Sequence, residues 1–258
     1  MLYFRKLYQT FILISLFVPS FCLAQIVNIE DRRTSLDSTG WQGRIDLAAQ
    51  LVENSNRVMT ISSGLRLDAL GERSHSLILL DYRLVEAGAD KLLNNGFAHF
   101  RYGYDLTNKL RWEAFTQAQY NLQLRLSFRW LIGTGPRIAL LPQNSNRKLF
   151  LGLLYMFEYD EFESSALTYR DHRMSAYLSA RIPFNNQIIF TSTTYYQPRL
   201  PDFTVPRIST INRMEFQFSE TLSFTTSLNL TFDGRLNDDF PEVPDLVYNW
   251  LNGLRLNF

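Results

Sequence analysis

The chain has 258 residues, with 26 Lys and Arg against 25 Asp and Glu, one cysteine, and an aromatic load of 14% that includes 20 Phe and 13 Tyr. The near-zero charge holds no basic run, which excludes an electrostatically driven nucleic-acid binder. The lone Cys22 excludes a disulfide framework. Aromatic richness suits the girdles of a membrane barrel, but a secreted β-sandwich can be as aromatic, so patterning has to decide.

The first 24 residues read as a cleaved signal peptide. Arg5 and Lys6 form the positive start, Phe11 to Val18 the apolar run, and Cys22-Leu23-Ala24 a small-x-small cleavage site before Gln25. The run is far short of the ~20 residues that cross a bilayer as a helix. A lipid anchor on Cys22 is the lesser reading, because bulky Phe21 stands where lipoprotein signals place a small residue. Cleavage removes the only cysteine together with Arg5 and Lys6, leaving 24 basic residues against 25 acidic. A short lead, 25–39, precedes a single domain over 40–258.

That domain is expected to be all-β: a transmembrane antiparallel up-and-down β-barrel of about twelve strands. Period-two stretches recur from about residue 40 onward. They lie near 41–53, 57–69, 75–86, 96–105, 110–121, 124–140, 149–160, 171–183, 187–198, 207–219, 222–233 and 245–258. The alternation blurs near 75–86 and 187–198. It is clean over 122–140, where Leu122, Leu124, Leu126, Phe128, Trp130 and Ile132 oppose Gln123, Arg125, Ser127 and Arg129. It is clean again over 222–232, where Leu222, Phe224, Leu228 and Leu230 oppose Ser223, Thr225, Ser227 and Asn229.

Connections should alternate, long outside and short inside, if the last strand descends to a periplasmic end. The stretches 160–171, 197–207 and 233–244 are the long ones, and 184–187 and 219–221 the tight ones. Glu53–Arg57 and Pro142–Lys148 fit this alternation poorly. The last strand carries Trp250, Leu254, Leu256 and the terminal Phe258 on one face, similar to the C-terminal signal that barrel-assembly machinery reads. The expected surroundings are outer-membrane lipid and lipopolysaccharide, with no nucleic acid, cofactor or metal. The expected address is the outer membrane of a Gram-negative bacterium.

If the apolar parity faces lipid, the other faces the lumen. Its arginines include Arg44, Arg66, Arg83, Arg101, Arg111, Arg125, Arg129, Arg137, Arg173, Arg181, Arg213 and Arg255. Its acids include Asp46, Asp68, Asp81, Glu113, Glu158, Asp160 and Glu215, with Gln117 and Gln119 among the neutral polar groups. The leading reading is a lumen filled by charge pairs, with Arg44–Asp46, Arg66–Asp68, Arg111–Glu113 and Arg213–Glu215 spaced two apart. The alternative is a narrow pore that favours anions. A rim enzyme acting on lipid is the poorest reading. His75, His99 and His172 are scattered, with Ser164 and Ser165 near the last, and neither a Gly-x-Ser-x-Gly elbow nor a His-Glu-x-x-His pair is present. Gly133 and Gly135 fall on the inward parity, where a neighbour such as Phe115 or Arg137 can cross the space they leave.

Two stretches carry a resemblance. One runs Phe97-Ala98-His99-Phe100-Arg101-Tyr102-Gly103-Tyr104, then, after a short turn, Glu113 to Asn121; the other is Arg129-Trp130-Leu131-Ile132-Gly133-Thr134-Gly135-Pro136-Arg137. Both resemble the YdiY-like family of proteins described as salt-induced outer-membrane barrels, in particular its Bacteroidetes-type members. The likeness extends over most of the processed chain. The family is a domain of unknown function, so the resemblance implies a barrel and an address, but no substrate and no catalytic residue.

Overall fold

The structure, a computed structural model, describes residues 39–53, 57–142, 144–163, 167–241 and 243–256. The expected signal peptide, nearly all of the lead, Ser164, Ser165 and Phe258 lie outside the described residues. Among the described residues, thirteen strands form one antiparallel sheet. They are β1 Gly40–Glu53, β2 Arg57–Leu70, β3 Ser74–Ala87, β4 Asp90–Asp105, β5 Leu110–Asn121, β6 Leu126–Ala139, β7 Lys148–Phe162, β8 Thr168–Pro183, β9 Ile188–Gln197, β10 Arg199–Leu200, β11 Arg207–Gln217, β12 Leu222–Phe232 and β13 Leu246–Leu256. Twelve are long and follow one another as a meander. The thirteenth, β10, is a two-residue spur that folds back from its loop onto β8, with Arg199 opposite Arg173.

The alternation read in the sequence now has two physical faces. On β5, Glu113, Phe115, Gln117, Gln119 and Asn121 are buried. On β7, Leu154, Met156, Glu158, Asp160 and Phe162 are buried. The opposite parity presents Phe100, Tyr102, Tyr104, Trp112, Trp130, Ile132 and Tyr155, all exposed. A surface of this apolar kind is the expected dress of a wall in lipid. Among the described residues no helix is long and apolar enough to cross a membrane, which says nothing about strands.

Two expectations need correction. The sheet is not closed: among the described residues no ladder joins β1 to β13, and β1 is exposed along its whole length. The run 122–140 is also not one strand. Leu122–Leu124 form a single 3-10 turn capped by the Asn121 side chain, and Arg125 adopts φ of 52°, the left-handed region. A register shift between Leu126 and Phe128 then resets the parity. Leu124 and Leu126 therefore turn inward rather than toward the apolar exterior.

Those two leucines belong to a cluster with Phe162, Tyr169, Phe240, Val243 and Leu167. Phe240 and Val243 come from the β12–β13 connection, which carries a short helix, α1 (Gly234–Asp239). This connection reaches over one end of the sheet and packs on β6, β7 and β8, none of them its neighbours in the meander. Phe240 lies 5.0 Å from Phe162, ring to ring. Arg235 sits 3.5 Å above the Tyr169 ring and donates to Asp171 at 2.6 Å.

Candidate functional site: the ion-paired interior

The concave face holds two ion-pair nodes. The upper one, under the β12–β13 connection, is centred on Glu158 of β7, which is fully buried. Arg207 of β11 grips it with a two-pronged fork, Nη1 to Oε2 at 3.0 Å and Nη2 to Oε1 at 2.8 Å. Arg173 of β8 brings its Nε to 3.0 Å, and Arg129 of β6 its Nη2 to 3.5 Å. Arg129 forks in turn onto Asp160, at 2.7 and 2.6 Å. Arg207 also donates from Nε to Asp233, at 2.7 Å, and Arg173 to Asp171, at 3.1 Å. Four strands and one loop are thus tied at one level. Burial pushes the Asp233 carboxyl upward, but the Arg207 guanidinium more than offsets this and holds the group below its ordinary range.

The lower node is centred on Glu113 of β5, also buried. Arg101 of β4 donates to it at 2.8 Å, Arg137 of β6 approaches to 3.8 Å, and the Tyr177 hydroxyl donates at 3.3 Å. The Arg137 guanidinium lies 3.9 Å above the Phe150 ring. Arg101 Nε donates to His99 Nε2 at 3.4 Å, His99 Nδ1 meets Gln117 Oε1 at 3.2 Å, and Gln117 Nε2 donates to Gln119 Oε1 at 2.8 Å. Between the nodes lies a cavity of about 40 Å³, walled by Phe115, Leu131, Leu154, Met156, Tyr195 and the polar groups Arg101, Gln117, Gln119, Arg129, Ser175, Tyr177, Gln197 and Arg207.

The other expected residues fall into two groups. Arg44 with Asp46 at 2.8 Å, and Arg66 with Asp68 at 2.5 Å, do pair two apart, and Asp68 also meets His75 at 3.1 Å. Arg111 does not take Glu113; it turns to Asp105, at 2.6 and 3.0 Å. Asp81 and Glu215 are half-buried, while Arg83, Arg181, Arg213 and Arg255 are exposed, outside the two nodes. Arg125 is exposed in its turn, outside the two nodes, because the left-handed residue breaks the parity that assigned it. Trp250, Leu254 and Leu256 are exposed on the outer parity of β13.

Gly133 makes room for Phe115, whose ring would meet an added Cβ at 2.5 Å. Gly135 makes room instead for the β7 backbone, with Leu153 O at 2.2 Å from that Cβ. His172 points outward, stacked on Tyr155 and near Phe157. Among the described residues no group of three or more His, Cys, Asp or Glu side chains is placed to hold a metal ion.

Sequence reasoning missed Arg207, Asp233, Asp171 and Arg235. Arg207 directly follows Pro206 and opens its strand, so it read as the edge of a loop. Its parity with Ser209 and Arg213 was the one available signal.

The solved structures to which the chain is similar include two. One is the NanC porin in a rhombohedral crystal form, at 9% identity and a TM-score of 0.45, covering 84% of this chain and 98% of that one. The other is the translocator domain of the autotransporter NalP from Neisseria meningitidis, at 11% identity and a TM-score of 0.41, covering 86% and 90%. No curated protein matches the chain. The family model described as "Protein of unknown function, DUF481" matches residues 45–247, and the chain belongs to that family.

Proposed function

We propose that the chain is an outer-membrane β-barrel of a Gram-negative bacterium, exported behind a cleaved signal peptide, with a structural, envelope-associated role and a plugged lumen. In this reading β1 and β13 pair in the membrane and close the wall, since lipid tolerates no open sheet edge. The reading places it among YdiY-like, Bacteroidetes-type members of its family and assigns it no catalytic reaction. Its partners are outer-membrane lipid and lipopolysaccharide, and the barrel-assembly machinery during biogenesis.

The observation that supports the plug is the interior itself: two ion-pair nodes stand on the buried face, with a cavity of about 40 Å³ between them. The lipid-facing part rests on the tryptophans. Trp130 Nε1 donates to Thr116 Oγ1 at 2.9 Å, Trp112 to Thr134 at 2.8 Å and Trp250 to Thr226 at 2.9 Å. Thr116 and Thr134 pass their own protons to backbone carbonyls, of Leu131 and Glu113. Every link is made inside the wall, as an outer surface without water requires. An anion pore is the second reading, favoured by the number of interior guanidiniums.

Planar-bilayer conductance separates the two. The processed chain is refolded in detergent, checked for a mobility shift on boiling, and inserted. A folded barrel that stays silent is expected. A steady anion-selective current would overturn the plug in favour of the pore.

A further inference from the structure

We propose that the cavity between the two nodes is a binding site for one small monovalent inorganic anion, of the chloride or bromide kind. This deepens the plugged-lumen reading, on which it rests.

No carboxylate lines the cavity among the described residues. Glu113, Glu158 and Asp160 hold Arg101, Arg207 and Arg129, yet only the guanidiniums reach the wall. The neutral polar groups also present donors, and their direction can be worked out. A guanidinium only donates, so His99 Nε2, which receives Arg101 Nε, is the bare nitrogen of a neutral ring. The proton then sits on Nδ1 and is donated to Gln117 Oε1. This fixes the Gln117 amide with Nε2 toward Gln119 Oε1. The chain ends at Gln119, which lines the cavity and whose amide nitrogen remains a donor.

Arg129 stands directly opposite Gln119 across the β5–β6 ladder. Its Nε and Nη2 are held by Asp160, and the residue lines the same cavity. Ser175 accepts from Gln197 Nε2 at 3.0 Å, so its hydroxyl proton is a further donor. Buried donors need an acceptor. The volume holds about three waters at roughly 10–15 Å³ of probe space each, or one small anion with a water beside it. Water could satisfy the amide and the hydroxyl. An anion also gains from the guanidiniums on the wall, where no carboxylate stands among the described residues. A cation meets the guanidiniums of Arg101, Arg129 and Arg207, and a sugar-sized solute does not fit.

The test is anomalous scattering from crystals of the full processed chain grown in bromide, with Gln119→Glu and Gln119→Leu alongside. Gln119→Glu sets a carboxylate against the site, and Gln119→Leu removes one donor without adding charge. Retained heat-modifiable mobility establishes that each variant is folded. The expected result is a bromide peak within hydrogen-bond reach of Arg129 and Gln119, lost in Gln119→Glu and at least halved in Gln119→Leu. No peak in the wild-type cavity, or an undiminished peak in Gln119→Glu, would overturn the proposal. Conductance reports separately on the plug: a conducting barrel with the peak present sinks only the plug, and a silent barrel without it sinks only the anion site.

Discussion

Two ion pairs in this protein have the same length. Arg44 meets Asp46 at 2.8 Å and Arg207 meets Glu158 at 2.8 Å, but the first pair is 75% and 60% exposed and the second 5% and 0%. The first sits on β1, an edge strand with both faces bare; the second sits under a roof of side chains from four strands and a loop. Distance is therefore a poor guide to worth. The exposed pair is one side chain reaching along its own strand, in contact with solvent. Glu158 cannot lose a partner without stranding charge in a dry interior, where desolvation is large and pairing is what makes burial tolerable.

The sharpest way to break this contrast is to delete the acid in each region. Glu158→Ala leaves Arg129, Arg173 and Arg207 without their shared anion. Urea unfolding in detergent micelles should show a loss of about 3–5 kcal/mol. Asp46→Ala should leave the midpoint where it was. Equal losses would mean that the edge strand is as enclosed as the middle of the sheet.

Glycine probes the same divide without charge. An added Cβ at Gly135 meets Leu153 O at 2.2 Å, and backbone cannot step aside. At Gly253 on β13 nothing lies within 4 Å. Gly135→Ala should cost about 1–3 kcal/mol by overpacking, and Gly253→Ala almost nothing. An equal cost at Gly253 would mean that the last strand is packed as tightly as β6.

The smallest effect concerns pH. Asp233 has a lowered carboxyl, so its contribution is present above the unfolded value, about 3.9, and disappears as pH falls through the folded one. The stability difference between wild type and Asp233→Asn, about 1 kcal/mol, should stay level at neutral pH and shrink below about pH 4. A difference that grows on acidification would place Arg207 elsewhere.

Much of the sheet was legible because period-two alternation is a local property. The expected strand at 110–121 and the observed β5 coincide, and most other ends differ by a residue or two. The pattern states which side a residue faces and is silent about whom it meets. Arg111 illustrates this: its side was readable, while its choice of Asp105 over Glu113 depends on the turn that brings Asp105 alongside. Arg125 fails for the converse reason, since one left-handed residue and one register shift undo the count. The β12–β13 connection was readable as long and proline-bearing. Its inward course was not, because Phe240 and Val243 find their partners only once β6 to β8 are in place.

That course has a consequence for how the molecule is made. The residues that roof Leu124, Leu126 and Phe162 are supplied by the penultimate stretch of the chain. All of β9 to β12 is synthesised between the floor of this contact and its cover. Loop-closure entropy must be met before such a remote contact is rewarded. The roof is therefore a closing event, and a chain halted before its last hairpin would stand with Leu124, Leu126 and Phe162 open to water.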